Sequence, residues 1–340
     1  MHPSSNAPPF DVPDYSGIRL GLGGAPLGNL FSPVSDADAD ALISAAWSSG
    51  CRHFDTAPHY GHGLSERRLG DALRQHRRSD FTLSSKVGRL LQADAAGPRA
   101  QNSYVDLLPF SQRWDYSAAG VRRSLEDSLQ RLGLARIDVL YVHDPDRASH
   151  GANAPAVLRQ LLVETLPALQ QMKAEGLVQA IGLGTNDVEV VLSVLAEADL
   201  DVLMLAGRYS LLDQTALAEL LPQCAARGVR IALGGVFNSG ILATGTRTGA
   251  ATFDYAPAAS QWIERVQRIE AVCDAHAVPL RAAALQFALA HPSIERVMLG
   301  ARSPPEWADA LAMLGQPIAP AFWTALRADN LLPPAAPTPC

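Results

Sequence analysis

Ile18-Arg19-Leu20-Gly21-Leu22-Gly23-Gly24-Ala25-Pro26 is the stretch on which the fold turns. It starts as an apolar run, Ile18–Leu22, that reads as a first strand, and then breaks into glycines. An open, doubly wound sheet that binds a dinucleotide places a G-x-G-x-x-G turn at this point, with a helix starting as the turn ends. Here Pro26 falls at that helix start. The spacing therefore favours the other architecture that alternating strands and helices build, a closed (β/α)8 barrel.

The rest of the chain repeats one unit: a short apolar run, a polar loop, a helical period. Further strands are expected at Arg52–Asp55, Phe81–Lys86, Ile137–His143, Leu177–Leu183, Asp201–Ala206, Val229–Leu233 and Ser293–Leu299. Between them, Ser35 reads as an N-cap for a helix whose apolar face is Ala39, Leu42, Ile43, Ala46 and Trp47, closed by Gly50. Ser117 caps another, with Val121, Leu125, Leu129 and Leu132 on one face and Gly133 at its end. Helices are also expected from about Pro155 to Glu175, over Val188–Ala198 and over Thr215–Arg227. Eight such units predict an α/β fold of the TIM-barrel type. Two connections, Gly88–Asp115 after the third strand and Gly235–Ala256 after the seventh, are too long to be simple links, and both belong to the C-terminal face where barrel sites form. The expected organisation is one barrel domain over residues 17–330, with loose segments at 1–16 and 331–340.

Composition narrows the function. The chain has 340 residues, 48 % apolar and 18 % charged, which is globular rather than disordered. A net charge of −6 without a basic stripe argues against nucleic acid as partner. Cys51, Cys224, Cys273 and Cys340 are widely spaced and form no C-x-x-C pair, which suits a reducing, cytoplasmic setting. Residues Met1–Asp14 are polar and proline-rich, unlike a secretory signal, and no run of about 18 apolar residues predicts a membrane span. His53, His59, His62 and His76 are not joined by a fixed set of three or four metal ligands, so no metal is expected.

Three polar residues end three successive strands: Asp55, Lys86 and His143. Tyr60 follows Asp55 by five residues. In a barrel these strand ends are neighbours, so the four groups converge at one mouth. Singly, each has an ordinary structural role open to it; jointly they handle a proton. An ammonium near a tyrosine favours the phenolate and lowers a pKa that is normally near 10. A carboxylate keeps the ammonium charged, and a histidine orients a substrate oxygen. Such a group offers neither an acyl-enzyme nucleophile nor a redox centre, so it points to an external hydride carrier, a nicotinamide cofactor.

The segments Phe54-Asp55-Thr56-Ala57-Pro58-His59-Tyr60-Gly61-His62-Gly63-Leu64-Ser65-Glu66, Ser84-Ser85-Lys86 and Val139-Leu140-Tyr141-Val142-His143 resemble the aldo-keto reductase superfamily, over about Gly17 to Leu314. The resemblance implies a barrel that binds NADP or NAD without a Rossmann domain. It implies Tyr60 as acid/base, Lys86 and Asp55 as its tuning pair, and His143 as the substrate-orienting group. Pro58 with Gly63-x-Ser65-Glu66, Val236-Phe237-Asn238-Ser239-Gly240-Ile241-Leu242 and Gly300-Ala301-Arg302-Ser303-Pro304 resemble the aldose 1-dehydrogenase branch, which oxidises the C1 hydroxyl of a cyclic sugar to a lactone.

The same resemblance implies cofactor contacts at Gly24, Asn186, Tyr209, Gly234, Val236, Asn238, Ser239, Gly240, Gly300, Arg302, Ser303 and Glu306. Backbone N–H groups at Asn238, Ser239 and Gly240 would cradle a pyrophosphate. Arg302 would pair with a 2′-phosphate and favour NADP, whereas Glu306 would take a ribose hydroxyl and favour NAD; NADP is the expected preference. Gly184-Thr185-Asn186, Ala206 and Leu233-Gly234 stand where many relatives carry Ser-Asn, Gln and a stacking aromatic, so Tyr209 is expected to supply some of the stacking. His59, Trp114 and Tyr116 are expected to line the substrate, a small sugar or aldehyde. A pyridoxal 4-dehydrogenase, a general aldehyde or ketone reductase and a non-catalytic regulatory subunit are the alternatives; filled positions at all four reactive residues argue against the last.

Overall fold

The computed structural model describes residues 18–247, 249 and 251–339; the segment 1–16, expected to be loose, lies outside them. Eight parallel strands close into a barrel: β1 Leu20–Gly23, β2 His53–Asp55, β3 Thr82–Val87, β4 Val139–His143, β5 Ala180–Thr185, β6 Val202–Ala206, β7 Arg230–Gly234 and β8 Ile294–Gly300. Each strand pairs with its predecessor in the chain, and β1 meets β8 at Leu20↔Val297 to close the ring. The choice of barrel over open sheet is therefore correct. Pro26 does open a helix, but only the single 3-10 turn Pro26–Gly28.

Strand periodicity decides which residues face the lumen. Val139 and Tyr141 of β4, Ala180 of β5, Val202 and Met204 of β6, Ala232 of β7 and Met298 of β8 pack together inside the barrel. The alternate residues, such as Phe54, Leu83, Leu140, Val142, Ile181, Leu183, Leu203 and Leu205, join a larger core between barrel and helices. Asp55, Lys86 and His143 share the parity of the inward positions of β2, β3 and β4.

The expected helices form. Ser35 accepts from the Asp38 N–H ahead of Asp36–Ser48, Ser117 caps Ala118–Leu132, and Gly133 ends that helix in the left-handed region. Some limits shift. The fifth strand begins at Ala180, not Leu177, because the preceding helix ends at Ala174 and Gly176 (φ 77°) turns the chain before it enters the barrel. The helix expected at Thr215–Arg227 is confined to Leu220–Ala226. The long helix after β4 is broken by a π turn at Leu161–Thr165.

Neither long connection is featureless. Residues after β3 fold into the antiparallel pair Arg89–Ala93 with Phe110–Trp114, and a smaller one, Ala100–Gln101 with Tyr104–Val105. The connection after β7 holds a 3-10 turn at Asn238–Gly240, a short helix Ile241–Thr244 and the pair Thr252–Phe253 with Ala256–Pro257. The C-terminal stretch also departs from expectation. Leu331, Leu332 and Ala336 are buried and Arg327 donates to the Ala336 carbonyl, so residues 331–339 lie packed on the domain rather than loose. Among the described residues, no helix is long and apolar enough to cross a membrane.

Candidate active site

β2, β3 and β4 lie side by side, with Asp55 opposite Ser84 and Lys86 opposite Tyr141 in the ladder. This register brings Lys86 Nζ to 2.6 Å from Asp55 Oδ2, and the same ammonium donates to the Thr56 carbonyl at 3.0 Å. Ser84 Oγ donates to Asp55 Oδ1 at 2.7 Å. Both members of the pair are nearly inaccessible, with side-chain exposures of 2 % and 3 %. Two charges taken this far out of water persist only if paired and hydrogen-bonded, and these are.

Tyr60 sits on the turn after β2. Gly28 makes its position possible: a Cβ there would lie 2.4 Å from the Tyr60 carbonyl carbon. The loop after β1 can therefore press directly on the Tyr60 backbone. Lys86 Nζ lies 4.5 Å from the Tyr60 ring centroid. His143 meets the same ring edge-on at 6.0 Å between centroids, and Tyr104 stacks on it at 5.9 Å. His59 faces His143 at 5.8 Å. The four residues expected to converge do so, with His59 as a fifth.

The electrostatics differ from the expectation in one respect. Burial of the phenol, reinforced by the Asp55 carboxylate, pushes the Tyr60 pKa well above its ordinary value. The lowering expected from Lys86 is outweighed, because the ammonium is already neutralised at close range by Asp55. Burial and the Arg89 guanidinium hold His143 well below its ordinary pKa, and the same causes bring His59 down to about 3. Both rings are neutral at physiological pH. The Nε2 edge of His143 lies 3.4 Å from Asp144 Oδ2, so the neutral ring's proton is assigned to Nε2. A protonated phenol, a neutral imidazole and a fixed ammonium–carboxylate pair can move one proton at a substrate oxygen and hold that oxygen in place.

The remaining predicted residues divide. Asn186, Gly234 and Gly300 sit at or just beyond the C-terminal ends of β5, β7 and β8. Gly184 lets the Lys86 and Tyr141 side chains pack close to β5: a Cβ there would fall 3.5 Å from Lys86 Cε and 3.3 Å from Tyr141 Cβ. Arg302 stands with Ser303 before the helix Pro304–Gly315; Arg302 Nε and Nη2 donate to Glu306 Oε1 at 3.0 and 2.8 Å. The two residues expected to compete for a ribose thus hold each other.

Other assignments are corrected. Tyr209 is 1 % exposed, its ring wedged between Phe287 and His291, so it is spent on packing and cannot stack on a cofactor. Asn238 and Gly240 donate their backbone N–H groups to Gly235 and Phe237, so two of the three donors expected to cradle a pyrophosphate are already used. The Asn238 side chain brackets Ser210 and Gly207, and Val236 is buried. Gly24 donates to the Asp55 carbonyl at 2.7 Å and allows that strand end to approach closely. Tyr116 is buried with its hydroxyl on the His143 carbonyl at 2.7 Å, so it shapes the strand end instead of walling the substrate. Trp114 remains exposed and carries the Arg89 guanidinium 3.9 Å from its ring centroid. Sequence reasoning missed Arg89, Gln112 and Asp144. Arg89 and Asp144 had a signal: each lies within three residues of a reactive strand end, and their charges are opposite.

A cavity lined by His53, Thr82, Tyr141, Val202, Arg230, Glu295, Arg296 and Met298 occupies the other end of the barrel. Val202, Arg230 and Glu295 lie at or next to the first residues of their strands, so this cavity belongs to the N-terminal end of the barrel, although its lining also includes Ser84, which donates to Asp55.

Residues 19–329 match the family model described as Aldo/keto reductase family. The chain is 44 % identical over 323 residues to the pyridoxal 4-dehydrogenase of Microbacterium luteolum, covering 92 % of this chain and 94 % of that one. It is 39 % identical over 318 residues to the D-threo-aldose 1-dehydrogenase of a Pseudomonas species, with the same coverage of 92 % and 94 %. Among solved structures, an aldo-keto reductase of Bacillus halodurans superimposes with a TM-score of 0.71 at 23 % identity, over 93 % of this chain and 92 % of that one.

Proposed function

The chain belongs to the aldo/keto reductase family, and from that premise we propose that it is an aldose 1-dehydrogenase, oxidising the C1 hydroxyl of a free cyclic sugar of the L-fucose, D-arabinose or L-galactose type to its lactone. Membership makes it an NAD(P)-dependent oxidoreductase acting on a small aldehyde or sugar. The buried constellation of Tyr60, His143 and the Lys86–Asp55 pair on three adjacent strand ends supports the proton and hydride chemistry, and the 39 % identity to a D-threo-aldose 1-dehydrogenase supports the finer reading.

The residues present fit a nicotinamide cofactor. The half-exposed Arg302 guanidinium, just past the C-terminal end of β8, suits an anionic group of the cofactor. When bound, the nicotinamide supplies the hydride acceptor. His143, neutral with its proton on Nε2, donates to the reacting oxygen and fixes its angle. Tyr60, once its own proton has been lost to solvent, takes the proton from that oxygen as the C1–H bond gives up its electron pair as hydride and the C1=O bond forms; the raised pKa makes that phenolate a minor form which alkaline pH favours. Lys86 lowers the cost of negative charge on the Tyr60 oxygen, and Asp55 holds Lys86 in place. NADP and NAD are both accepted, with NADP preferred through Arg302 once its pairing with Glu306 is exchanged for the 2′-phosphate.

A second reading has its own support in the 44 % identity to a pyridoxal 4-dehydrogenase. An aromatic aldehyde with a neighbouring hydroxymethyl group closes to a cyclic hemiacetal, and its oxidation to a lactone needs the same proton and hydride. The test is formation of reduced cofactor with NAD or NADP against L-fucose, D-arabinose, L-galactose, D-galactose and pyridoxal. Turnover of a sugar supports the proposal and turnover of pyridoxal alone selects the second reading. Oxidation of reduced cofactor by simple aldehydes, with no hemiacetal accepted, overturns both.

A further inference from the structure

Arg89 and Asp144 form an ion pair that the chemistry above does not use. Arg89 Nη2 lies 2.6 Å from Asp144 Oδ2, and the arginine side chain is 8 % exposed. Its guanidinium is pressed on the Trp114 ring, and Nη1 lies near Gln112 Oε1 and His59 Nδ1 at 3.3 and 3.4 Å. Asp144 follows His143 directly and is held in the left-handed region at φ 47°. Its N–H donates to the Gly184 carbonyl, and its own carbonyl accepts from Tyr116 and His150. These bonds fix a conformation that a non-glycine residue avoids, and they turn the carboxylate back against the Nε2 edge of His143. The pair is only partly buried, since the Asp144 side chain is 26 % exposed, and such an ion pair contributes little to stability. Its placement beside the reacting groups therefore calls for another reason. Oδ2 takes Arg89 and faces His143; among the described residues no hydrogen bond reaches Oδ1.

We propose that Asp144, positioned by Arg89, is a specificity-determining residue that accepts a hydrogen bond from the substrate hydroxyl vicinal to the carbon that loses hydride. This rests on the hemiacetal-oxidising reading of the site. The geometry is direct: the reacting oxygen lies at His143 Nε2, and vicinal oxygens on a ring are about one hydrogen-bond length apart. The neighbouring hydroxyl then falls against the carboxylate next to that nitrogen. The substrate class is a polyhydroxylated ring rather than an apolar aldehyde.

The test is kcat/KM for D-arabinose and for 2-deoxy-D-ribose, which differs from it in lacking the hydroxyl at C2, in wild type and in Asp144→Asn. A hydrogen bond to a charged acceptor predicts wild-type discrimination on the order of 10- to 100-fold, collapsing several-fold or more in the variant. The comparison is a ratio within each protein, so partial loss of active enzyme cancels. As a second measure, Arg89→Met weakens the same ratio without abolishing it, since Arg89 acts through Asp144. Turnover of D-arabinose with the same ratio in wild type and Asp144→Asn overturns this inference alone. Absence of turnover with any cyclic hemiacetal overturns it together with the reading it rests on.

Discussion

Replacing Lys86 with Met removes the ammonium from the densest knot of interactions in the site. Asp55 then keeps Ser84 as its hydrogen-bond donor but loses the Lys86 bond at 2.6 Å, in a position 3 % exposed. Breaking one half of a buried pair costs about 3–5 kcal/mol, because the remaining charge is left unpaired away from water. In Asp55→Asn/Lys86→Met the charge is gone and an amide can donate to the Thr56 carbonyl that Lys86 served. The double variant is therefore expected to recover about 2 kcal/mol relative to Lys86→Met. A pH signature accompanies it. Burial already raises the Asp55 pKa with Lys86 opposing, so loss of Lys86 raises it further. A carboxyl whose folded pKa is raised is more readily protonated when folded, so its penalty is full at high pH and fades as pH falls. The assay is urea denaturation of wild type, Asp55→Asn, Lys86→Met and the double variant at pH 8 and pH 5.5, with coincident circular dichroism and fluorescence transitions required. Additive single-variant costs, or a Lys86→Met deficit as large at pH 5.5 as at pH 8, would refute the picture of a mutually dependent buried pair.

His53 and His59 are buried with pKa values of about 3. The unfolded chain binds their protons first, so stability should fall as pH drops from near 6.5 toward 3, by roughly 1–2 kcal/mol per histidine at pH 5; urea midpoints should show this, with a shallower decline in His59→Asn. The raised Tyr60 pKa predicts that oxidation speeds up with rising pH across the alkaline range while reduction does not, and opposite slopes in pH–rate profiles would contradict it. Glu306→Gln should raise kcat/KM for NADP relative to NAD by about 10-fold, by freeing Arg302 for a phosphate; an unchanged ratio would show that the pair does not read the ribose. Gly70→Ala should cost about 1–3 kcal/mol in thermal unfolding, since its Cβ would fall 2.2 Å from the Leu132 carbonyl oxygen.

The barrel was legible because each strand is written as a short apolar run with a helix on either side. The decisive residue was Pro26, which disfavours the open-sheet alternative. The convergence of the polar residues was legible for a related reason: Asp55, Lys86 and His143 each end an apolar run, and in a closed ring the ends of consecutive runs are neighbours. Contacts carried by the long connections were not legible. Gln112 reaches His59 across 53 residues through the pairing of Arg89–Ala93 with Phe110–Trp114, and no local period announces that pair. Tyr209 misled because an aromatic just past a strand end suits stacking equally well on a cofactor or on Phe287. The sign of the Tyr60 shift was missed because spacing places an ammonium nearby but does not give the depth of burial, which dominates here.

The proposed chemistry requires Tyr60 to move the proton while the rest of the site positions the substrate. Steady-state oxidation of the accepted hemiacetal by wild type and Tyr60→Phe, with cofactor affinity measured in parallel by fluorescence quenching, tests it most directly. The expected result is a fall in kcat of about 10²- to 10⁴-fold with cofactor affinity unchanged. A variant that keeps most of the wild-type kcat would contradict it.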